Sequence, residues 1–429
     1  MMRLTEKLQP FINNENSARY RSYSLKNILR LLHAQGNPHE DFKSVHIAGT
    51  NGKGSTACFL NGILIEAGFR TGLYTSPHLL KINERIKINN RDISGRELNR
   101  IIDEIFLILQ EMKDIQPTFF DILTAAAFAY FREKKIDIAV IETGLGGRLD
   151  STNVLTPECS VITNISLDHT PVLGATVKEI ASEKAGIIKT GIPVITSNTD
   201  DSVLKILRNC SMFRKTRLYT IGKDFHINSI KKYGAGFTFD YQFSDGSHAI
   251  AVKNIILNSI ASFQTINSSL AITAALIVSG FSIPEKKIGA AIKKTVLPGR
   301  LQVLAKKPFV VFDPGHNPSA VETSLEQILN FYKNKKIVSI LSVMKDKDYT
   351  SIINILSKKG IEIIYYELPE ERCYRPSLEK KKGDLEICGS RKVLIKKISE
   401  RMNDRTLFYF TGTFRHYRTA LYIARKLNE

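Results

Sequence analysis

The chain has 429 residues, of which 43% are hydrophobic and 24% are charged, which excludes a disordered chain and suffices for two cores of ordinary size. Lysine and arginine number 61 against 42 acidic residues, so the formal charge is +19. A surplus of this size favours an anionic partner, and nucleic acid is the first to consider.

Targeting and membrane signals are weak. The first ten residues, MMRLTEKLQP, contain no apolar segment of the kind that a secretory signal needs. No uninterrupted apolar run reaches the roughly 18–20 residues of a membrane span. The five cysteines are scattered and form no C-x-x-C pair, which argues against a disulfide framework and a cysteine-held zinc site. We therefore expect a cytoplasmic protein with no membrane partner.

The first third of the chain alternates strand and helix patterns. Residues 44–48 form an apolar strand pattern that ends at Gly49. Apolar residues then recur at helical spacing over 55–67, and Gly68 ends the pattern. The later runs IDIAVIE, VITNI and IPVIT are typical of strands buried on both faces of a parallel sheet. Together these patterns predict an α/β fold.

Two further helices carry N-terminal signals. Ser94 with Glu97, and Thr118 with Asp121, form capping-box patterns directly before apolar helical segments. Each pairs a hydroxyl with an acid three residues later. We therefore predict that these helices begin next to Ser94 and Thr118.

The pattern changes in the second half of the chain. Short alternating strands over 218–255 predict a small antiparallel sheet, and an apolar helix follows them. Four apolar strands, FVVFDP, KIVSILSV, IEIIYYEL and LFYFTGT, then alternate with helices, which predicts a second doubly wound domain. We place the boundary at the LPGR turn, with residues 1–297 in the first domain and 298–429 in the second.

A glycine-rich loop joins the first strand to the first helix. Phosphate binding needs backbone N–H groups that converge on oxygens, a helix N-terminus, a lysine and a hydroxyl. The alternative is a glycine-rich turn with an exposed lysine, which this context disfavours. We predict that ATP or a similar nucleotide binds to the loop residues Gly49, Thr50, Asn51, Gly52, Lys53, Gly54 and Ser55.

Three chemically capable side chains follow later strands. Glu142 ends the strand IAVIE, His169 follows the next strand, and Lys184 lies in the helix after it. The carboxyl ends of parallel strands share one edge of a sheet, so all three can face the phosphate loop. The alternatives are a hydrogen-bonded loop histidine, a solvated helix lysine and a glutamate paired with Arg148.

The GLGG segment invites a dinucleotide-binding interpretation. Gly144 and Gly146 fit that pattern, but Leu149 occupies the place of the third glycine. We therefore reject this interpretation.

Several segments together resemble the folylpolyglutamate synthase/dihydrofolate synthase family of the Mur ligase superfamily. HIAGTNGKGS carries the resemblance first, and further motifs follow in the family's order as far as residue 348. The resemblance implies an N-terminal P-loop-containing Mur-ligase-type ATPase domain, with a parallel sheet and a small antiparallel sheet, and a C-terminal Rossmann-like doubly wound domain. The supporting motifs are TSPHL (75–79), ETGLGGRLDSTNV (142–154), LDHT (167–170), EKAGI (183–187), LPGR (297–300), DPGHNP (313–318) and KDKD (345–348).

The resemblance also implies a metal site and its catalytic residues. Ser76, Glu142, His169 and a carbamylated Lys184 match the magnesium-binding positions of the family, and Lys53 matches the lysine that stabilises the γ-phosphate. A carbamate is an oxygen ligand that suits a hard cation. The implied cofactors are ATP and Mg²⁺, with two magnesium sites and K⁺ as a further candidate ion.

The implied reaction joins a carboxylate to the amino group of L-glutamate while ATP becomes ADP and phosphate, through an acyl phosphate. The implied substrates are ATP, L-glutamate, and dihydropteroate, tetrahydrofolate or both, and the protein is expected to be a monomer. Asn267, Arg300 and Asp313 match nucleotide-contacting positions, and His316 matches a glutamate-side motif. The positions that match pterin-holding segments are Thr118, Phe119, Phe120, Leu149, Asp150 and Ser151, with the loop around Arg21 to Tyr23 as an addition.

The chain departs from the family's pattern in two motifs. D-G-A-H-N-P becomes DPGHNP, where Pro314 removes a backbone N–H. The family's G-x-H-Q-x-x-N-A becomes ASFQTINS over 261–268, which lacks the histidine and puts an adenine-side contact in doubt. We expect an active ligase with altered affinity for nucleotide or glutamate.

Two other functions compete with this one. A cell-wall ligase acting on a nucleotide-linked peptide is disfavoured by Gly54, where that branch usually has threonine, and by the lack of a separate N-terminal substrate domain. The second alternative, a P-loop protein that binds nucleic acid, is suggested only by the net charge. The lysine groups 380–382, 396–397 and 358–359 are spread along the chain and are more typical of solvated faces, so no nucleic-acid partner is expected.

Overall fold

The computed structural model describes residues 4–12, 24–112, 114–376 and 385–427. The loop around Arg21 to Tyr23 and the lysines at 380–382 lie outside this part. The chain divides into two compact units. The first contains Met1–Tyr233, Thr238–Leu257 and Phe263–Thr295, and the second contains Gly234–Phe237, Asn258–Ser262 and Val296–Glu429.

The first unit is built on an eight-stranded sheet in the order β4-β3-β2-β5-β1-β6-β7-β8. Along the row β2-β5-β1-β6-β7-β8, neighbouring strands run parallel, while β3 and β4 add an antiparallel edge next to β2. The central strands β5, β1 and β6 are buried almost throughout, as their continuous apolar sequences predict. The strands are β1 (Lys43–Ala48), β2 (Thr71–Tyr74), β3 (Ile86–Ile88), β4 (Arg91–Asp92), β5 (Ile138–Glu142), β6 (Cys159–Ile162), β7 (Val194–Thr196) and β8 (Leu218–Thr220).

Helices connect these strands and cover the sheet. The helix after β1 ends at Gly68, whose positive φ of 107° suits glycine. Ser94 and Thr118 each cap a helix in the predicted capping boxes. The helices are α1 (Leu4–Ile12), α2 (Lys26–Ala34), α3 (Lys53–Ala67), α4 (Gly95–Glu111), α5 (Phe119–Glu133), α6 (Thr170–Leu173), α7 (Val177–Ala185), α8 (Asp201–Phe213), α9 (Gln264–Val278) and α10 (Glu285–Lys294).

A separate three-stranded sheet lies between α8 and α9 in the chain. Its strands are β9 (Phe225–Tyr233), β10 (Gly236–Ser244) and β11 (Ala249–Leu257), in the order β11-β10-β9. The hydroxyl of buried Tyr241 in β10 lies 2.8 Å from the hydroxyl of Thr273 in α9. This hydrogen bond connects the small sheet to the helix that follows it. The small sheet was predicted over 218–255, but residues 218–220 form β8, which pairs parallel with β7 in the large sheet instead.

The second unit contains a six-stranded sheet in the order β12-β13-β17-β14-β15-β16. Four strands match the predicted ones; β12 and β16 were not predicted. The antiparallel edge strand β12 has the mixed, half-exposed sequence QVLAK, which gives no alternating or continuous apolar pattern. The elements are β12 (Gln302–Lys306), β13 (Phe309–Phe312), α11 (Pro318–Phe331), β14 (Lys336–Leu341), α12 (Tyr349–Lys358), β15 (Glu362–Tyr366), β16 (Leu385–Cys388), α13 (Arg391–Arg401), β17 (Thr406–Thr411) and α14 (Tyr417–Lys426).

The predicted fold class is confirmed: a parallel-dominated α/β sheet, a small antiparallel sheet and a second, largely parallel α/β unit. The boundary at 297/298 as a functional division stays a prediction. No helix within the described ranges is long and apolar enough to cross a membrane.

Each unit buries a histidine. His46 lies on β1, with Nε2 2.8 Å from the Thr152 hydroxyl, and burial with a contribution from Lys189 lowers its pKa to about 3. His416 stacks on Tyr366, and burial lowers its pKa to about 4. Both side chains are therefore neutral in the folded protein at neutral pH.

Stability should fall on mild acidification because of these histidines. Their pKa in the unfolded chain is about 6.5, so between pH 6.5 and the folded values the unfolded state binds more protons. Each histidine should cost about 1 kcal/mol of unfolding free energy between pH 6.5 and 5.5. Urea unfolding of His46→Gln and His416→Gln should show a smaller loss over this interval than the parent. An unchanged pH slope in both variants contradicts the assignment.

Candidate active site

The glycine loop leaves the carboxyl end of β1 and runs directly into α3. Gly49 has φ 153° and Gly52 has φ 92°. A Cβ atom added to Gly49 would lie 1.8 Å from Oγ1 of Thr163, and one added to Gly52 would lie 2.4 Å from Oδ1 of Asn267. Conformation and space therefore both require glycine, and the loop brings backbone to the N-terminus of α3, where anions bind.

The residues after β6 hold one side of the loop. The Thr50 amide donates to the carbonyl of Asn164 at 2.7 Å, and the Thr50 hydroxyl donates to the carbonyl of Ser166 at 3.0 Å. Thr163 donates from its hydroxyl to the carbonyl of Asn51 at 2.8 Å. These supporting residues were not predicted, although their place after a strand next to β1 was a usable signal.

Helix α9 holds the other side. Gln264 donates to the hydroxyl of Ser55 at 3.2 Å, and Asn267 donates to Gln264 at 2.8 Å. Asn267, predicted as a nucleotide-contacting residue, is buried against Gly52. Gln264 was not among the predicted site residues, and its contact spans more than 200 positions of sequence.

Two lysines converge on one carbonyl of the loop. Lys53 donates to the Gly49 carbonyl at 3.0 Å and to the Thr50 carbonyl at 3.3 Å. Lys184 donates to the same Gly49 carbonyl at 2.7 Å, although it lies 135 positions away. The Lys184 residue is only 3% exposed, so the alternative of a solvated helix lysine is wrong.

The surroundings of Lys184 change its acidity. Burial, together with the positive charge of Lys53, lowers its pKa to about 7, although Asp168 and Asp150 oppose the shift. An amine with this pKa is partly neutral at neutral pH. That is the form that reacts as a nucleophile.

Glu142 ends β5 beside the loop and is buried. One carboxylate oxygen accepts a hydrogen bond from the amide of Ser76 at 3.0 Å, so the structure brings two residues of the predicted metal set together. Arg148, the alternative partner of Glu142, donates two hydrogen bonds to Glu183 at 3.1 and 2.7 Å.

His169 follows β6 and precedes α6, with a positive φ of 50°. Its amide donates to the Asp168 carboxylate at 2.8 Å, and its side chain is 40% exposed. The carboxylate of Glu142 and the hydroxyl of Ser76, residues that are hydrogen-bonded through the Ser76 amide, are hard oxygen donors of the kind that suits a divalent cation such as Mg²⁺.

The first predicted pterin segment opens helix α5. Thr118 caps this helix, and Phe119 is buried, with the Arg85 guanidinium 5.3 Å from its ring. The half-buried Phe120 ring lies 5.7 Å from that of Tyr74 and directly against Gly144, where an added Cβ would approach it to 2.6 Å.

The second predicted pterin segment, Leu149 to Ser151, ends the glycine-rich loop after β5. The buried Asp150 carboxylate accepts from the amides of Leu145 at 2.7 Å and Thr152 at 3.0 Å, so it organises its own loop. Ser151 donates to Asp121 at 2.6 Å. Asp121, predicted only as a helix cap, therefore connects the two pterin segments.

In the second unit, the predicted residues Arg300, Asp313 and His316 lie near the ends of β13 and β17. Buried Asp313 accepts from the amides of Leu301 at 3.0 Å and Gly315 at 2.9 Å, and burial raises its pKa despite nearby Arg300. The Arg300 guanidinium lies 4.8 Å from the ring of Phe414.

His316 of the DPGHNP segment lies close to Phe414, as Arg300 does. His316 lies with Nδ1 3.2 Å from the Pro314 carbonyl, and its ring centre is 5.9 Å from that of Phe414. The Gly315 carbonyl accepts from the amide of Gly412 at 2.9 Å, which joins this segment to the end of β17.

Both units of the chain match known protein-family domains. Residues 47–275 match the Mur ligase middle domain, and residues 299–414 match the Mur ligase glutamate ligase domain. The chain is 35% identical to a dihydrofolate synthase/folylpolyglutamate synthase of Bacillus subtilis over 320 residues, which cover 73% of this chain and 74% of the relative. It is 34% identical to a folylpolyglutamate synthase of Lacticaseibacillus casei, with 71% and 73% covered.

Solved structures agree with these matches. A Mycobacterium tuberculosis folylpolyglutamate synthase complexed with ADP and AMPPCP aligns with a TM-score of 0.86 and 27% identity, over 98% of this chain and 97% of that one. The enzyme from Thermotoga maritima aligns with a TM-score of 0.80 and 30% identity, over 95% and 93%.

The glycine loop, the two lysines and the matched domains define an ATP-dependent ligase of the Mur ligase type. Within that class, the chain belongs to the folylpolyglutamate synthase/dihydrofolate synthase family.

The lack of space at Gly49 predicts a selective loss of nucleotide binding. Gly49→Ala would push a methyl group into Thr163 and displace the loop, so affinity for ATP should fall at least about a hundredfold, as expected when several preorganised phosphate contacts are lost. Gly68→Ala, at the other end of α3, is the matched control: its φ is also positive, but no atom lies within 4 Å of the added Cβ.

Calorimetric titration with a non-hydrolysable ATP analogue checks this expectation. Gly68→Ala should lower stability by about 1 kcal/mol through backbone strain and keep the parent affinity. Parent-like affinity in Gly49→Ala contradicts the assignment of the loop.

Proposed function

We propose that this protein adds L-glutamate to a folate-type acceptor, with dihydropteroate, tetrahydrofolate or both as the substrate. The observation that carries the proposal is the convergence of Lys53 and Lys184 on the Gly49 carbonyl at the start of α3. This arrangement places Lys53 and a second, modifiable amine at a phosphate-binding loop, beside the buried carboxylate of Glu142. It suits a reaction that brings a triphosphate and a carboxylate together.

The chemistry proceeds in two steps. An oxygen of the acceptor carboxylate attacks the γ-phosphorus of ATP, the bond to ADP breaks, and an acyl phosphate forms. The glutamate amine then attacks the acyl carbon, phosphate leaves, and the amine loses a proton to give the amide. Lys53 is proposed to stabilise the γ-phosphate, while the loop amides and α3 hold the other phosphates.

We propose nucleotide-contacting residues within each unit by itself. In the first unit these are the loop residues Gly49 to Ser55, with Asn267 supporting the loop from α9. In the second unit they are Arg300 and Asp313, and His316 is proposed to serve the glutamate. The functional domains are accordingly 1–297, which binds ATP and acceptor, and 298–429.

Ser76, Glu142, His169 and Lys184 are proposed to hold Mg²⁺ in two sites, with K⁺ as a further ion. When bound, Mg²⁺ supplies positive charge that offsets the repulsion between the phosphates and the acceptor carboxylate. Lys184 is proposed to act as a carbamate: its amine adds to CO₂ and releases a proton. Its burial beside Lys53 favours the neutral amine that this addition requires.

The acceptor is proposed to contact Thr118, Phe119 and Phe120 on one side and Leu149, Asp150 and Ser151 on the other. The capped start of α5 and the 3₁₀ helix at Ser151–Val154 support these two segments. Phe120 already packs against Tyr74 and Gly144, so only the remaining surface of its ring is available to a heterocycle.

We further propose a monomer in the cytoplasm. The five cysteines, all within the described ranges, form no disulfide with one another, which suits a reducing compartment.

Acceptor-dependent turnover tests the function. ADP release should require L-glutamate together with dihydropteroate or tetrahydrofolate, because the amide product needs both. A muramyl nucleotide in place of the folate acceptor should support no turnover. Turnover with the muramyl substrate alone overturns the proposal and favours a cell-wall ligase.

Lys184→Ala tests the carbamate. Its kcat should fall at least a thousandfold, or about 4 kcal/mol of transition-state stabilisation, since both the ligand and the charge are lost. Short carboxylic acids added at millimolar concentration should restore part of the activity by replacing the carbamate. Lys178→Ala, an exposed position of the same helix, is the matched control and should keep parent activity. Full activity of Lys184→Ala without added acid contradicts the carbamate.

A further inference from the structure

One carboxylate connects the two segments proposed to hold the acceptor. Asp121 is the third residue of α5, is 7% exposed, and lies 30 positions before Ser151. Its helix begins beside Thr118 to Phe120, and the loop that it reaches contains Asp150 and Ser151. It lies outside the six residues to which acceptor contact has been assigned.

The two oxygens of Asp121 serve different segments. Oδ2 accepts from the amide of Thr118 at 2.8 Å and from its hydroxyl at 2.9 Å, which completes the capping box. Oδ1 accepts from the Ser151 hydroxyl at 2.6 Å. The cap uses one oxygen, and the link between segments uses the other.

The Ser151 end of this link belongs to a loop that is already ordered internally. Asp150 accepts from the amides of Leu145 and Thr152, and Thr152 also contacts His46 of β1. The loop is therefore partly ordered by its own hydrogen bonds, and the bond between Ser151 and Asp121 links it to the start of α5.

We propose that Asp121 is a positioning residue for the acceptor: its carboxylate holds the start of α5 and the Asp150–Ser151 turn at the separation that the acceptor needs. This inference rests on the proposed function, because the two segments are assigned to the acceptor there. Asp121 acts through Thr118 and Ser151 and need not touch the substrate.

A carboxylate is suited to this role because both of its oxygens accept hydrogen bonds. An amide of the same shape has one accepting oxygen and one donating nitrogen. In Asp121→Asn the oxygen can keep the cap, but the nitrogen can only donate, so the Ser151 hydroxyl must turn and accept, and the bond is no longer short and charge-assisted. Asp121→Asn therefore weakens the link to Ser151 while it keeps the cap. An acceptor that must order the two segments as it binds loses affinity, whereas ATP binding at the glycine loop is not affected.

The test compares Michaelis constants for the two substrates. In Asp121→Asn the KM for the folate acceptor should rise about tenfold, while the KM for ATP stays within twofold of the parent. Glu97→Gln is the matched control, because Glu97 occupies the same capping-box position of α4 and accepts from Ser94. It should lose a similar amount of thermal stability and keep both KM values.

A second variant separates positioning from direct contact and from loss of the cap. Ser151→Ala leaves the Thr118 cap intact and removes the link, together with any contact of the Ser151 hydroxyl with the acceptor, so the decisive measurement is made without substrate. Without any substrate, hydrogen exchange of the amides in 143–155 should speed up in this variant, together with a rise in acceptor KM. If Asp121→Asn does not fold, these two measurements on Ser151→Ala decide the question.

Two outcomes overturn the inference. One is unchanged exchange in Ser151→Ala, which removes the link outright, whether or not Asp121→Asn folds. The other is a parallel rise of both KM values, which would show general loosening of the unit. A parent enzyme that releases no ADP with glutamate and either folate acceptor refutes the proposed function itself. An active parent with unchanged exchange in Ser151→Ala refutes only the positioning role.

Discussion

The carbonyl of Gly49 is the point on which the site depends, because two ammonium groups donate to its single oxygen. Their mutual repulsion would be unfavourable in a buried setting without that shared acceptor. The carbonyl can turn toward them because Gly49 adopts a backbone conformation that a residue with a side chain would find strained. A side chain at this position would also collide with Thr163. Lys53 in turn keeps positive charge at the start of α3. Backbone geometry at one glycine thus sets the electrostatics of the proposed phosphate site.

The repulsion has a chemical consequence at Lys184. A buried amine next to a second cation shifts toward its neutral form, and Lys53 remains as the charged partner. The two lysines can therefore divide the work, one as a fixed cation and the other as a modifiable group. Asp168 and Asp150 limit the shift, so the amine is not driven fully to neutrality. Residues on four different segments of the chain together determine this balance.

Much of the architecture could be predicted from local sequence, and the limits of that prediction are physical. Strands β1, β5 and β6 are continuous apolar runs, and the glycine loop is contiguous, so Gly49 to Ser55 could be recognised directly. Strand β12 is half-exposed and lacks such a pattern. Gln264 and Thr163 support the loop through contacts across more than 100 positions, which local patterns do not contain. The order of strands and helices indicates that Lys184 can face the loop, but its burial and its bond to Gly49 arise from tertiary packing.

Asp121 shows how one local signal can conceal a long-range one. The capping box accounts fully for a carboxylate at this position, so the sequence offers no reason to look further. Yet a cap needs only one oxygen, and the second must be satisfied when the residue is buried. Ser151 satisfies it, and by doing so joins a helix start to a loop that β1 also braces through His46 and Thr152. The requirement to pair a buried oxygen thus couples the proposed acceptor segments to the strand that leads into the phosphate loop.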